Sequence, residues 1–192
     1  MLSNQTVRSW LLGNVKMSKI QENEWGRALV APYRPKNSKA KAWSGILGEQ
    51  IIKEVYPEGW IPVKLNGHKP DWETKDCIIE VKTQSWFTPG TAGEKILGVP
   101  VKYRNLPALY KKPLVIVCFA RAESIWFDLK RDESLVRIIE FWENMNITYQ
   151  RGSELISPRG EAKLPGLDKS LHDLDLELLV EPNTVTLGNH VL

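Results

Sequence analysis

Histidine and cysteine are scarce in this chain, and their scarcity removes several classes of chemistry. Of 192 residues, three are His and two are Cys. His68, His172 and His190 are scattered, so neither a zinc site nor a histidine-metal nuclease has ligands at the required spacing. Cys77 and Cys118 each fall in an apolar, strand-like run. They read as two buried free thiols of a reducing compartment, with no disulfide framework. No run of about 18 apolar residues occurs, and the N-terminus lacks an apolar leader. The expectation is a soluble, intracellular, cytoplasmic protein with no membrane partner. The glycines around Gly90 and Gly93 lack the spacing of a phosphate-binding loop, and no nucleophile elbow supports Ser/His/Asp catalysis.

Nor is there a large excess of one charge, since the net charge is +3. The distribution is nevertheless uneven. Arg27, Arg34, Lys36, Lys39 and Lys41 occur between residues 27 and 43 without an acid, and Lys95, Lys102, Arg104, Lys111 and Lys112 do the same between 95 and 112. Residues 161–181 are acidic. Two basic stretches suit a polyanionic backbone, although either alone reads better as a solvated face. The eight tryptophans could supply stacking surface, but most Trp belongs to cores.

Between the basic stretches lies the most informative segment, Lys69 to Lys82. Cys77 to Val81 is apolar and β-branched enough to be a strand, and Glu80, Lys82 and Gln84 alternate with Ile79, Val81 and Thr83. If Lys75-Asp76 is a two-residue hairpin loop, the register pairs Thr74 with Cys77, Glu73 with Ile78, Trp72 with Ile79 and Asp71 with Glu80. Carboxylates paired in this way, with Cβ atoms about 5 Å apart, repel by a few tenths to about 1 kcal/mol unless a cation lies between them. Two carboxylates on rigid strands suit Mg²⁺, which keeps several waters and accepts phosphate oxygens. Lys82 would face the same phosphate. The competing reading is a wet amphipathic hairpin, against which Cys77 and Ile78 suggest a strand buried on both faces.

Pro70-Asp71 followed by Glu80-Val81-Lys82 resembles the PD-(D/E)xK nuclease superfamily, whose best-known members are type II restriction endonucleases. The resemblance covers roughly residues 44 to 120. It implies a restriction-endonuclease-like α/β fold, a mixed central β-sheet flanked by helices. It further implies Mg²⁺, or Mn²⁺ as substitute, on Asp71, Glu80 and the Val81 carbonyl, with Lys82 orienting water or stabilising charge. Glu49, on the helix before the hairpin, resembles the glutamate that assists metal binding in many members, and is otherwise a solvated helix-edge residue. Gln84 resembles the glutamine that follows the motif in some exonucleases and helicase-linked nucleases.

The function implied is Mg-dependent hydrolysis of duplex DNA by a homodimeric, sequence-specific restriction endonuclease. A structure-specific nuclease (Holliday-junction resolvase or repair enzyme) and a non-catalytic DNA-binding module remain open. Lys36, Lys39, Lys41, Lys95, Lys102 and Arg104 are the DNA-binding candidates, and Arg104, Asn105, Arg121, Arg151 or Arg159 could reach base edges.

The chain is expected to be one nuclease domain over 1–192, with 1–43 and 146–192 as accessory DNA-binding or dimerisation elements. Helices are expected from a Ser44 cap to about Tyr56, at Leu106–Lys111, and from an Asp132 cap to about Met145. The last would carry a core stripe of Leu135, Ile138, Ile139, Trp142 and Met145. Strands are expected at Trp60–Leu65, Pro113–Ala120, Ser124–Leu129, Leu174–Val180 and Thr184–Leu187. Asn66-Gly67 reads as a turn, Phe87–Gly98 as a DNA-contacting, glycine-bearing loop leading towards a helical turn over Thr88–Lys95, and 1–43 as largely undecipherable beyond weak amphipathicity from Val7 to Met17.

Overall fold

The computed structural model describes residues 4–34, 42–87 and 92–156. The elements there are, in chain order, α1 (Asn4–Leu11), α2 (Lys19–Val30), a 3-10 turn (Ala31–Tyr33), α3 (Trp43–Val55), β1 (Trp72–Glu73), β2 (Ile78–Gln84), α4 (Ala92–Tyr103), α5 (Leu106–Tyr110), β3 (Leu114–Ala120), α6 (Arg121–Lys130), α7 (Glu133–Asn144), β4 (Ile147–Arg151) and α8 (Gly152–Leu155).

The most apolar run in the sequence, β3, sits inside a four-stranded mixed sheet of order β1-β2-β3-β4. The β1–β2 pair is antiparallel, and the β2–β3 and β3–β4 pairs are parallel. A strand paired on both sides and covered on both faces must be apolar throughout, and Ile116 to Phe119 are indeed 0% exposed. Residues of alternate parity feed two cores. Ile79, Val81, Val117 and Phe119 pack against α1, α2 and α3, through Trp10, Trp25, Leu29, Leu47 and Ile51 among others. Ile78, Leu114, Ile116, Cys118 and Ile147 pack against α4 to α7, through Ile96, Val99, Tyr103, Leu106, Trp126 and Ile139. The α/β expectation therefore holds in its coarse form: a mixed sheet flanked by helices.

Several finer expectations change. Ser44 is not the cap of α3, whose N-cap is Ala42; Ser44 lies inside the first turn and donates its hydroxyl to the Thr83 carbonyl at 3.4 Å. Trp60–Leu65 is not a strand. It forms only isolated bridges, Trp60 with Glu73 and Leu65 with His68, because Pro62 has no amide proton and Ile61 and Val63 stay exposed. The Asn66-Gly67 turn does form, with φ of 46° and 79°, the mirror-image turn suited to such a bridge. Ser124–Leu129 is helix, not strand: within α6, Ala122, Ile125, Trp126 and Leu129 follow the helical period, the first and third fully buried.

The helical turn expected towards Lys95 forms and runs on, since Gly93, Lys95 and Gly98 all lie within α4, so the loop does not extend to Gly98. Asp132 caps α7 as expected, accepting from the Ser134 amide at 2.9 Å. The α7 stripe is only partly core, because Ile139 is buried while Ile138 is 46% exposed. Cys118 is buried, but Cys77 is only half-buried. In their described part, residues 1–43 contribute Val7, Trp10, Leu11, Trp25, Leu29 and Val30 to the main core. Lys36, Lys39 and Lys41, Arg159, and the pieces 174–180 and 184–187 lie outside the described residues.

The seat of α3 on β2 depends on a missing side chain. A Cβ at Gly48 would stand 1.9 Å from Thr83 Oγ1 and 2.9 Å from Val81 Cγ1. Gly48→Ala is expected to destabilise the fold by about 1–3 kcal/mol, read as a lower urea midpoint. An unchanged midpoint would contradict this helix–strand contact.

Candidate active site

The hairpin is built by its own turn chemistry. Thr74 Oγ1 accepts from the amides of Asp76 (3.2 Å) and Cys77 (3.1 Å), and the Thr74 amide donates to the Cys77 carbonyl at 2.9 Å. Lys75-Asp76 is thus the two-residue tip. The observed register pairs Trp72 with Ile79 and Glu73 with Ile78, as the spacing implies. The Asp71 amide donates to the Ile79 carbonyl at 3.0 Å, and Asp71 Oδ2 accepts from the Val81 amide at 2.8 Å. Asp71 therefore sits at the end of β1 with its carboxylate clamped to β2.

Glu80 lies on the face of β2 that carries Ile78 and is only 5% exposed. Its Oε1 accepts from Lys82 Nζ at 2.5 Å, while its Oε2 is buried and has no hydrogen-bond partner among the described residues. Burial, reinforced by the Asp71 charge, pushes its carboxyl up to about 7; Lys82 and Lys102 offset this only in part. Lys82 Nζ also reaches the Val81 carbonyl at 3.3 Å.

A residue missed in the sequence joins this group. Tyr103, 5% exposed at the end of α4, has a hydroxyl 2.9 Å from Lys102 Nζ and held well above its ordinary range by burial, by the Glu80 charge and by its hydrogen-bonding contact with the Glu80 carboxyl. His68 meets the Tyr103 ring edge-on at 5.5 Å. The signal for Tyr103 was present, since Ile96, Val99 and Tyr103 recur at helical spacing.

The other expected residues are more dispersed. Gln84 is half-buried at the carboxyl end of β2. Glu49 is half-buried on α3, and that helix covers the Val81–Thr83 face of β2, not the face of Glu80. Among the described residues no three of His, Cys, Asp or Glu gather as a metal-holding group, so the pair stands without Glu49 as a third ligand. Lys95 and Arg104 are exposed, and Arg104 donates to the Val101 carbonyl. Lys112 is occupied, bonding Glu73 and the Thr74 carbonyl at 2.7 Å each.

Comparison with family models, with curated proteins and with solved structures finds no match.

The donor set nonetheless fits a hard divalent cation. Two carboxylates on neighbouring strands, one with a buried unpartnered oxygen, together with the Val81 carbonyl, match what Mg²⁺ takes from protein while keeping waters. Without a cation, an ionised Glu80 is costly. Its carboxyl ionises near 4.5 in an ordinary setting and near 7 here, so its contribution to stability is complete below about pH 4.5 and is lost as pH rises through 7. Glu80→Gln is expected to be more stable than the metal-free parent at pH 8, by on the order of 3 kcal/mol at most, with the gap closing near pH 4.5. A difference that stays constant across this window in thermal melts would contradict the burial.

Proposed function

We propose that the protein is a metal-dependent deoxyribonuclease that hydrolyses phosphodiester bonds of duplex DNA, acting as a restriction-type endonuclease. The observation that carries this reading is the buried Glu80 oxygen with no hydrogen-bond partner among the described residues, beside Asp71 and next to Lys82. Such a group is expensive in a purely structural hairpin and useful in one that must receive a cation. The order of α3, a short hairpin, α4 and a parallel β3 further supports the PD-(D/E)xK resemblance.

In this reading Asp71, Glu80 and the Val81 carbonyl would hold Mg²⁺ or Mn²⁺. When bound, the ion supplies Lewis acidity toward a phosphate oxygen and lowers the pKa of the attacking water. Lys82 places an ammonium at the same face, where it orients that water and offsets charge developing on phosphorus. Asp71 is pre-set for its part, because the Val81 amide already fixes one of its oxygens. Lys102, on the Tyr103 hydroxyl, adds positive charge at the mouth of the site. A homodimer would present two such sites to the two strands.

Asp71→Asn, Glu80→Gln and Lys82→Ala are each expected to abolish Mg²⁺-dependent cutting while leaving circular dichroism unchanged. Glu49→Gln is expected to leave cleavage near the parent rate, because α3 covers the opposite face of β2, and full turnover in any hairpin variant would refute the assignment. On long linear duplex DNA the expected result is a fixed band pattern with one symmetric end sequence, since base readout discriminates by about 1–3 kcal/mol per pair. Intact linear DNA beside a cut four-way junction would instead identify a resolvase. Stable DNA binding without cutting under any divalent cation would identify a non-catalytic module.

A further inference from the structure

The parallel strands β2, β3 and β4 all end at the same edge of the sheet, where Trp86, Ala120 and Arg151 line a pair of adjoining clefts. Open α/β sheets bind ligands outside the carboxyl ends of their strands. The outer cleft has a volume of about 400 Å³, within the range of ligand sites. Its floor is rigid: Tyr149 stacks on buried Trp126 at 3.8 Å and donates its hydroxyl to the Ile96 carbonyl at 2.7 Å.

Over this floor the guanidinium of Arg151 lies on the ring of Phe127, and that of Arg131 stands 5.7 Å from the same ring. An aromatic face holds a guanidinium in place without consuming its in-plane N–H donors. Glu154 forms an ion pair with Arg151, its Oε1 3.8 Å from Nε, too long for a hydrogen bond and exposed enough for a stronger anion to compete with it. The outer cleft sets Lys130, Arg131 and Arg151 against one acid, Glu154, while Glu123, held by the amide and hydroxyl of Ser153, and Asp128 line the adjoining one. At the lip, Ala120 adopts φ 53° and ψ −129°. A non-glycine residue there costs about 1–3 kcal/mol, and such strain concentrates at ligand clamps.

We infer that this cleft is a phosphate-binding site for a backbone phosphodiester of the DNA, away from the scissile one, with Arg131 and Arg151 as its donors. The identity of the polyanion rests on the nuclease reading. The separation suits it: Arg151 pairs with Cys118, and Cys118 with Lys82, two residues beyond Glu80. Two residues along and two strands across is roughly 12 Å of sheet, or about three to four base-pair steps along a duplex. Bidentate Arg donors fit a phosphate, and a clamp at that distance would fix the register of the duplex over the hairpin without reading sequence.

Fluorescence anisotropy of a labelled duplex with the full chain, in Ca²⁺ and across about 50 to 200 mM salt, tests the inference. Arg131→Ala removes an exposed side chain and should make the slope of log K against log salt shallower by about 0.9. Arg151→Lys keeps the charge but loses the stacked fork, and should weaken affinity several-fold at an unchanged slope. Wild-type slope in the first variant together with wild-type affinity in the second would overturn the site, as would a parent protein that does not bind DNA. Cleavage is scored separately. Intact cutting with unchanged binding refutes the cleft alone, whereas altered binding without any metal-dependent cutting supports the cleft and refutes the nuclease.

Discussion

A carboxylate placed where water cannot solvate it, with a second carboxylate across the strand pair, is the constraint on which this structure turns. Glu80 keeps one oxygen on Lys82 and leaves the other buried with no hydrogen-bond partner among the described residues, while Asp71, just before β1, raises its pKa further. In the absence of a cation these groups oppose one another. An arrangement that weakens a resting fold is expected at a site whose ligand restores the balance, because binding to the folded state alone returns the free energy.

The rest of the fold holds that constraint in place. Thr74 sets the hairpin register, and the register brings Asp71 beside Glu80. Pairing of β2 with β3 along its whole length fixes the strand that carries Glu80, and Tyr103 from α4 packs on the same face. On the opposite face α3 approaches β2 so closely that only glycine fits at position 48. Behind β2, the segment that leaves the strand is tied down as well: Glu22 accepts from the Trp86 amide and from Trp10 Nε1, and the Trp86 indole donates to the Trp10 carbonyl. The N-terminal helices thus brace β2 from the far side.

Much of this was legible in the residues themselves where local rules and tertiary structure agree. The alternation in β2, the two-residue tip, the apolar β3 and the Asp132 cap each follow from period or turn chemistry acting over a few residues. Other elements had a signal that a wider window would have caught. Helix α2 carries a complete capping box, Ser18 with Gln21, and α6 shows its helical stripe once the window begins at Ala122. β4 follows directly on α7 with Ile147, Thr148 and Tyr149 as β-formers. What could not be read locally was packing geometry. Whether Glu49 shares a face with Glu80 depends on which side of the sheet α3 lies, and the placement of Tyr103 over Glu80 depends on how α4 returns from β2. The same is true of Arg151 and Phe127, which come from different elements and meet only when β4 joins the sheet.

Counting bound manganese measures most directly whether the Asp71–Glu80 pair exists to hold a cation. Electron paramagnetic resonance of Mn²⁺ titrated into the purified chain at pH 8, without nucleic acid, separates bound from free ion irrespective of any cleavage. The expected result is saturable uptake of Mn²⁺ that Mg²⁺ displaces and that both Asp71→Asn and Glu80→Gln abolish. Uptake indistinguishable between the parent chain and these variants, or none at millimolar Mn²⁺, would contradict it and return the hairpin to a structural role.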